Sequence, residues 1–325
     1  MNNKIGYWAA VSVVVGSIIG SGIFMKPATM AAQLGSPVWL IAIWVVTGLF
    51  SLFGALIYAE FGAMFPQTGG QYIYFKHMYG NFVAFLYGWG GITVINTAAV
   101  SAISFVCAQY LSYLIPLPVF FNEQEGFSVV WHIPFLGNLY PLANFSIKCL
   151  ATILVIGITI LNYITLRGSS LLQLISTIIK VGVIAALVVG ILFWGNGSTE
   201  NFISSYGSSK TGWALLSGII ASLTGGFMAY DGWLNLTFMT GELKDPQRNI
   251  VRSLITGVLI CMVIYVLINL AYLYALPIHQ MAGSPLVASD AMMSALGTTS
   301  SAVVAGLVVI CTFGAINGNL GNLLT

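Results

Sequence analysis

Gly16-Ser17-Ile18-Ile19-Gly20-Ser21-Gly22-Ile23-Phe24 interrupts an apolar stretch that runs from Ile5 to Leu34. A stretch of that length should form one continuous membrane helix. Each Gly weakens a helix by about 1 kcal/mol relative to Ala, and it lets backbone approach a ligand closely. Broken backbone at membrane depth is tolerated only where it is buried in protein or lines a cavity. A second interruption lies in Thr224-Gly225-Gly226-Phe227-Met228-Ala229-Tyr230-Asp231-Gly232-Trp233, where Gly225-Gly226 and Gly232 are expected to bracket a short irregular stretch. A matched pair of breaks in two parts of a chain points to the substrate site of a secondary transporter. Close helix packing through small residues is the alternative for Gly16 and Gly20 alone. Five small residues in seven, together with the second break, favour the transporter reading.

Composition places the rest of the chain around these breaks. Of the 325 residues, 58% are hydrophobic and 6% charged, with mean hydropathy +0.95. Soluble domains carry about 25% charged residues, so this is a polytopic membrane protein. A net charge of +2 with no basic run gives nucleic acid nothing to bind. The apolar stretch at the N-terminus is too long for a signal peptide. Cys107, Cys149, Cys261 and Cys311 have no metal-ligand spacing and read as small packing residues. His77, His132 and His279 fall in separate loops, so no metal site is expected. No nucleotide-binding motif occurs, and no other cofactor is implied.

Windows of about 20 apolar residues give eight spans, at 6–33, 38–65, 82–115, 144–165, 171–195, 213–239, 251–276 and 298–324. Lys4, Lys76, Arg167, Lys244, Arg248 and Arg252 lie on one side, against Lys148 and Lys210 on the other. The excess of basic residues puts the N-terminus in the cytoplasm. The broken spans are the first and sixth. An odd offset reverses their direction across the membrane, as an inverted-topology repeat requires. The expected organisation is one transmembrane domain over 1–325, with a first five-helix repeat at 1–195 and part of a second at 213–325. A complete second repeat would need five spans, and three are present. With Thr325 following apolar residues directly, the sequence reads as a fragment, or as a chain whose partner helices come from elsewhere.

The chemistry concentrates at the breaks. A half-helix starting at Ser21 or Gly22 has unpaired N–H groups at the positive end of its dipole, which suits a carboxylate. Carbonyls freed at the end of the first half can accept from an ammonium group. The aromatics Phe227, Tyr230 and Trp233 are placed to close over a ligand. Asp231 has three candidate roles: binding an ammonium group, carrying a proton, or sitting near water at the cytoplasmic end. Lys180 falls amid apolar residues near the middle of the fifth span, where a charge must be paired, neutral or hydrated. Carbonyls near Gly20 and the Thr312 hydroxyl are its candidate partners. Such bonds would give it a gating or coupling role in place of a bound Na⁺. Glu60 reads as a solvated residue near the cytoplasmic edge.

Gly16–Phe24, Ala59-Glu60-Phe61-Gly62 with Pro66–Tyr72, and Ala229–Trp233 through Pro246 resemble motifs of the amino acid–polyamine–organocation (APC) transporter superfamily. Within it they are similar to the L-amino acid transporter branch and its bacterial serine/threonine exchangers. Thr312-Phe313-Gly314-Ala315-Ile316-Asn317-Gly318 resembles that branch's eighth helix. The resemblance implies an all-α inverted-repeat bundle of five plus five helices and two more, with helices one and six broken and about eight helices present here. It places carboxylate binding on the backbone of Ser21, Gly22 and Ile23, and ammonium binding on carbonyls of Ile18, Met228 and Asp231. It implies that Lys180 stands where sodium sits in related carriers, hence Na⁺ independence. Met228 occupies a position that is often an aromatic gate in the branch.

The expected function is therefore exchange of small neutral L-amino acids by alternating access, in an inner or plasma membrane and in contact with lipid. A proton-coupled symporter of broad specificity is the alternative within transport. A non-transporting fragment or scaffold is the alternative outside it. An ion channel would need a polar stripe along a pore, and an enzyme would need a convergent catalytic set. The sequence carries neither, and it leaves the oligomeric state unknown.

Overall fold

The computed structural model describes residues 5–134, 137–164, 169–203 and 211–324. Lys4, Arg167 and Lys210, three of the charges used for orientation, lie outside the described residues. Helices α1 (Tyr7–Ile18) and α2 (Gly22–Leu34) meet at a bend of 44°. Then follow α3 (Pro37–Met64), α4 (Gln71–Tyr79), α5 (Asn81–Leu114), α6 (Phe145–Ile164), α7 (Ser169–Val189) and α8 (Gly212–Tyr230). The described chain continues with α9 (Pro246–Ala275), α10 (Ile278–Gly283), α11 (Val287–Leu296) and α12 (Thr298–Leu324). The sequence sets several of these ends. Pro37 and Pro246 open α3 and α9 at the first helical position, where no N–H is needed. Gly35, at φ +64°, closes α2 in the left-handed conformation that lacks a steric penalty only for Gly.

Five helical stretches are long and apolar enough to cross a membrane, and the bent pair α1–α2 makes a sixth. The remaining two expected spans are α6 and α12, whose apolar stretches with described side chains, Phe145–Ile160 and Ala302–Asn317, are shorter. The sequence windows passed over α4, α10 and α11, which have ten residues or fewer. One small hairpin, Trp131–Ile133 paired antiparallel with Gly137–Leu139, departs from the all-α expectation. It lies between α5 and α6, outside the bundle.

The second interruption differs from expectation. Gly225 and Gly226 do not break the helix, because α8 runs unbroken to Tyr230. The irregular stretch is Asp231–Leu234, after which Asn235–Phe238 resumes a single helical turn. The paired glycines serve packing instead. A methyl group on Gly226 would lie 2.6 Å from Thr47 Cγ2 on α3, and one on Gly225 would touch Met30 and Lys26 of α2.

Helices α2 and α8 pack antiparallel along a seam of small residues. Gly22 faces Ala229, Lys26 faces Gly225, and Gln33 faces both Ser222 and Gly218. At one end a methyl on Gly22 would sit 2.7 Å from Ala229 Cα. At the other the Ser222 hydroxyl donates to Gln33 Oε1 at 3.0 Å. Small side chains bring membrane helices to backbone contact, where dispersion replaces the missing hydrophobic drive. The central cluster of buried apolar residues joins α1, α3 and α9 to this pair.

Gly226→Val should lower the thermal midpoint of the detergent-solubilised protein, since Thr47 leaves no room for its side chain. Gly157→Ala, in α6 with open space around it, should leave the midpoint unchanged or raise it by the equivalent of about 0.5–1 kcal/mol. Fluorescence-detected melting of both variants checks the contrast.

Candidate substrate site

An α-helix leaves its last four carbonyls without intrahelical donors, and the end of α1 shows where each goes. Val15 accepts from the Ile19 N–H at 2.9 Å. Gly16 accepts from Lys180 Nζ at 2.7 Å. Ile18 lies 2.9 Å from the Tyr265 hydroxyl. Ser17 is left, and no donor reaches its carbonyl among the described residues. On the far side of the break, the first bonds of α2 run from Phe24 and Met25 to the Ser21 carbonyl. The N–H groups of Gly22 and Ile23 stand ahead of that ladder, free to meet an anion.

The second interruption packs on the first. Gly232 has φ +117°, a conformation that L side chains rarely adopt. A methyl there would lie 2.5 Å from the Ser17 carbonyl oxygen. Both the backbone angle and the contact therefore demand Gly. Tyr265, on α9, reaches between the two broken ends. Its hydroxyl is 2.9 Å from the Ile18 carbonyl and 2.9 Å from the Ala229 carbonyl. One O–H proton serves two acceptors, so only one receives it at any moment. The Tyr265 ring packs against Trp44 and Tyr230 at centroid distances of 5.3 and 4.9 Å.

The expected site residues separate into groups. The side chains of Ile18 and Ile23 are buried in the core, so only their backbone groups face the break. Ser21 is half-buried and makes no capping bond with its side chain. Gly20 is open, with only the Ile18 carbonyl oxygen, at 4.0 Å, near a methyl placed there. Gly22 is different, because its hydrogen faces Ala229 and leaves a ligand no approach along that direction. Met228 is half exposed at 54%, and its carbonyl has no donor among the described residues. Asp231 is exposed just past the end of α8.

Tyr230 is turned into the core, fully buried, with its hydroxyl donating to the Trp44 carbonyl at 3.0 Å. Trp233 stacks edge-on against Tyr58 and lies against Gly54 of α3. Lys180 is buried and bonds to Gly16, four residues before Gly20. The Thr312 hydroxyl does not reach it. That hydroxyl donates back to Val308 and Val309 within α12, at 2.8 and 3.1 Å. The meeting of α7 with α12 is instead steric, at Gly314, which faces Ser176 and lies close to Lys180 Cε. A second bond, Thr177 Oγ1 to the Ser12 carbonyl at 3.1 Å, ties α7 to α1 one turn earlier.

Sequence reasoning missed Tyr265 and Trp44. Both sit within long, mainly apolar helices, where an aromatic residue reads as filling. The available signal was Tyr265 itself, since a tyrosine deep in an apolar helix must find its hydroxyl a partner.

A sequence model of amino acid permeases matches residues 5–320. The chain is 28% identical over 323 residues to the human b(0,+)-type amino acid transporter 1, covering 98% of this chain and 60% of that protein. It is 28% identical over 322 residues to the serine/threonine exchanger SteT of Bacillus subtilis, covering 98% and 66%. It is 30% identical over 333 residues to the mouse large neutral amino acids transporter small subunit 2, covering 98% and 56%. The chain thus spans about 60% of the length of the first of these relatives.

Tyr265→Phe keeps the ring and removes the shared proton. It should lower stability by about 0.5–1.5 kcal/mol, read as a fall in the thermal midpoint. Gly20→Ala should leave that midpoint intact, whereas Gly22→Ala should lower it by forcing α2 from α8.

Proposed function

The chain belongs to the amino acid permease family, and we propose that it exchanges small neutral L-amino acids across an inner or plasma membrane, by alternating access and without Na⁺. Its family is one of membrane transporters rather than enzymes, and its spans make it a multi-pass membrane protein. One observation carries the substrate class. Beside the open position of Gly20, the N–H groups of Gly22 and Ile23 have no acceptor, and the carbonyls of Ser17 and Met228 have no donor, among the described residues. Donors suit a carboxylate and acceptors suit an ammonium group, the two ends every amino acid carries. These contacts are backbone contacts, so side-chain selection falls to neighbours such as Met228, Phe227 and Ser21. Among the described residues only Asp231 offers a carboxylate to a second cation near the breaks, which favours neutral over basic substrates. Two relatives are named for serine and threonine and for large neutral amino acids.

In this reading the carboxylate rests on the N–H groups of Ser21, Gly22 and Ile23. The ammonium group rests on carbonyls of Ile18, Met228 and Asp231, and Ser17 adds a further acceptor. The N-terminus is cytoplasmic, and residues 1–195 and 213–325 are a first repeat and part of its inverted partner. Lys180 supplies a fixed positive charge at the end of α1, where a bound cation would otherwise neutralise the freed carbonyls. Its bond to Gly16 is a latch between α1 and α7, which must part when α1 swings. Gly20, Tyr230, Trp233 and Thr312 belong to the same moving region as hinge and wall. A proton-coupled mechanism is the second reading, favoured by the complete burial of Lys180 beside a single hydrogen-bond acceptor.

The test is uptake of labelled L-serine into proteoliposomes of the purified protein. Exchange without Na⁺ predicts uptake that requires unlabelled amino acid inside and is indifferent to external Na⁺. Uptake into empty vesicles that rises with Na⁺ would overturn it, and uptake driven by an inward proton gradient would favour the second reading. Lys180→Met should cut the exchange rate per folded molecule at least tenfold. A normal rate per folded molecule would reduce Lys180 to a structural residue.

A further inference from the structure

A groove of about 350 Å³ lies between α5 and α6, lined by Ser101, Ser104 and Phe105 on one side and Ala151, Thr152 and Val155 on the other. Ile156 lines it too, and with Ile153 and Ile160 it forms an exposed apolar stripe of α6. The groove therefore opens onto a face that meets lipid. Its three hydroxyls offer a ligand no proton. Ser101 donates to the Thr97 carbonyl at 2.8 Å, Ser104 to Val100 at 2.7 Å and Thr152 to Lys148 at 2.9 Å. What remains is an apolar surface with one cation at its end. Lys148, in the first turn of α6, lines the groove, and its ammonium group donates to the Tyr140 and Pro141 carbonyls at 2.6 and 3.3 Å. Those acceptors are neutral and leave its charge uncancelled. It makes no ion pair among the described residues. The apolar stretch of α6 begins at Phe145, so Lys148 stands at headgroup depth. Tyr113, near the end of α5, is exposed as aromatic residues at a membrane boundary are. From Lys148 to Ile156 the helix rises about 12 Å, against about 15 Å for the hydrocarbon of one leaflet.

We propose that this groove binds an anionic phospholipid, with one acyl chain between α5 and α6 and the phosphate at Lys148. The lining selects an amphiphile. Below Lys148 no free donor meets a polar ligand, and at Lys148 a lone cation calls for an anion. An ammonium group has three donors. Two are held by Tyr140 and Pro141, and the third is left for a phosphate oxygen. The bound lipid ties α5, α6 and the segment that carries Tyr140 into one unit. The inference rests on the membrane placement of the chain and is independent of the transported solute.

The test is native mass spectrometry of the purified protein, titrated in detergent with phosphatidylglycerol or with phosphatidylcholine of the same chains. The readout is the ratio of the two dissociation constants. Phosphatidylglycerol should bind about fivefold more tightly, the preference one lysine near the surface confers on an anionic lipid. Lys148→Arg should keep that preference and Lys148→Gln should abolish it. The ratio is taken within each variant, so it does not depend on how well the variant folds. Ser101→Trp, at an exposed position of the lining, should weaken both lipids by filling the groove and leave the lipid-free thermal midpoint unchanged. Glycerol 3-phosphate, a headgroup without chains, should not compete. A lysine that only braces the loop would lower the midpoint in Lys148→Gln with the lipid ratio unchanged, and that result would overturn the proposal. Equal binding of the two lipids by the wild type would overturn it, as would loss of the preference in Lys148→Arg or competition by glycerol 3-phosphate. A dimer that Ser101→Trp dissociates would put a second copy in the groove and overturn it too.

Discussion

A single phenolic proton stands between two helix ends. The Tyr265 hydroxyl lies within hydrogen-bond distance of the Ile18 and Ala229 carbonyls, the last turns of two interrupted spans. Neither end can be left bare, because an unsatisfied polar group in the membrane interior costs several kcal/mol. Everything else at the centre of the molecule serves that arrangement. Gly232 lets the second interruption rest on Ser17. Trp44 and Tyr230 hold the Tyr265 ring from two sides. Lys180 supplies a donor to Gly16 that the helix cannot. The arrangement nevertheless lacks donors. Ser17 has none among the described residues, and of Ile18 and Ala229 only one is served at a time. A ligand bearing an ammonium group brings three.

The breaks were legible because membrane helices obey a strict rule. Their backbone must be hydrogen-bonded throughout, and a cluster such as Gly20-Ser21-Gly22 announces an exception. The first break falls where those residues placed it. The second was misplaced by a few residues, since Gly in a membrane helix has two uses. At Gly225 and Gly226 it admits a neighbour, and at Gly232 it adopts a conformation closed to other residues. Sequence cannot separate these uses without knowing what lies opposite. Lys180 was legible as a charge needing a partner, but its reach was not. The choice of Gly16 among the carbonyls near Gly20, and the turning of Thr312 to its own helix, depend on where α7 crosses α1. The two short helices α10 and α11 escaped for a simpler reason, being too brief to fill a membrane-length window.

The residues at the two interruptions divide into those that present only peptide groups and those that present side chains. Ile18 and Ile23 bury their side chains and present only peptide groups. Such groups cannot be altered by point substitution of those residues, so any contact they make is shielded from sequence drift. Met228 and Phe227 are exposed to 54% and 44% and can vary without disturbing the core. A thioether is pliant and tolerates several shapes.

The seam between α2 and α8 has a mechanical meaning. With Gly22 against Ala229 at one end and Gln33 bonded to Ser222 at the other, the two helices are too close to slide past one another. They form a single plank. Each leaves that plank through an interruption, residues 19–21 in one chain direction and 231–234 in the other, and the two interruptions touch at Ser17 and Gly232. Two flexible points in contact define one axis. Tilting of the outer halves against the inner ones therefore needs only one pivot, and that pivot passes through the cluster of unpaired peptide groups. A molecule seated there would be held at the fulcrum, the place that moves least while the walls above and below it exchange positions.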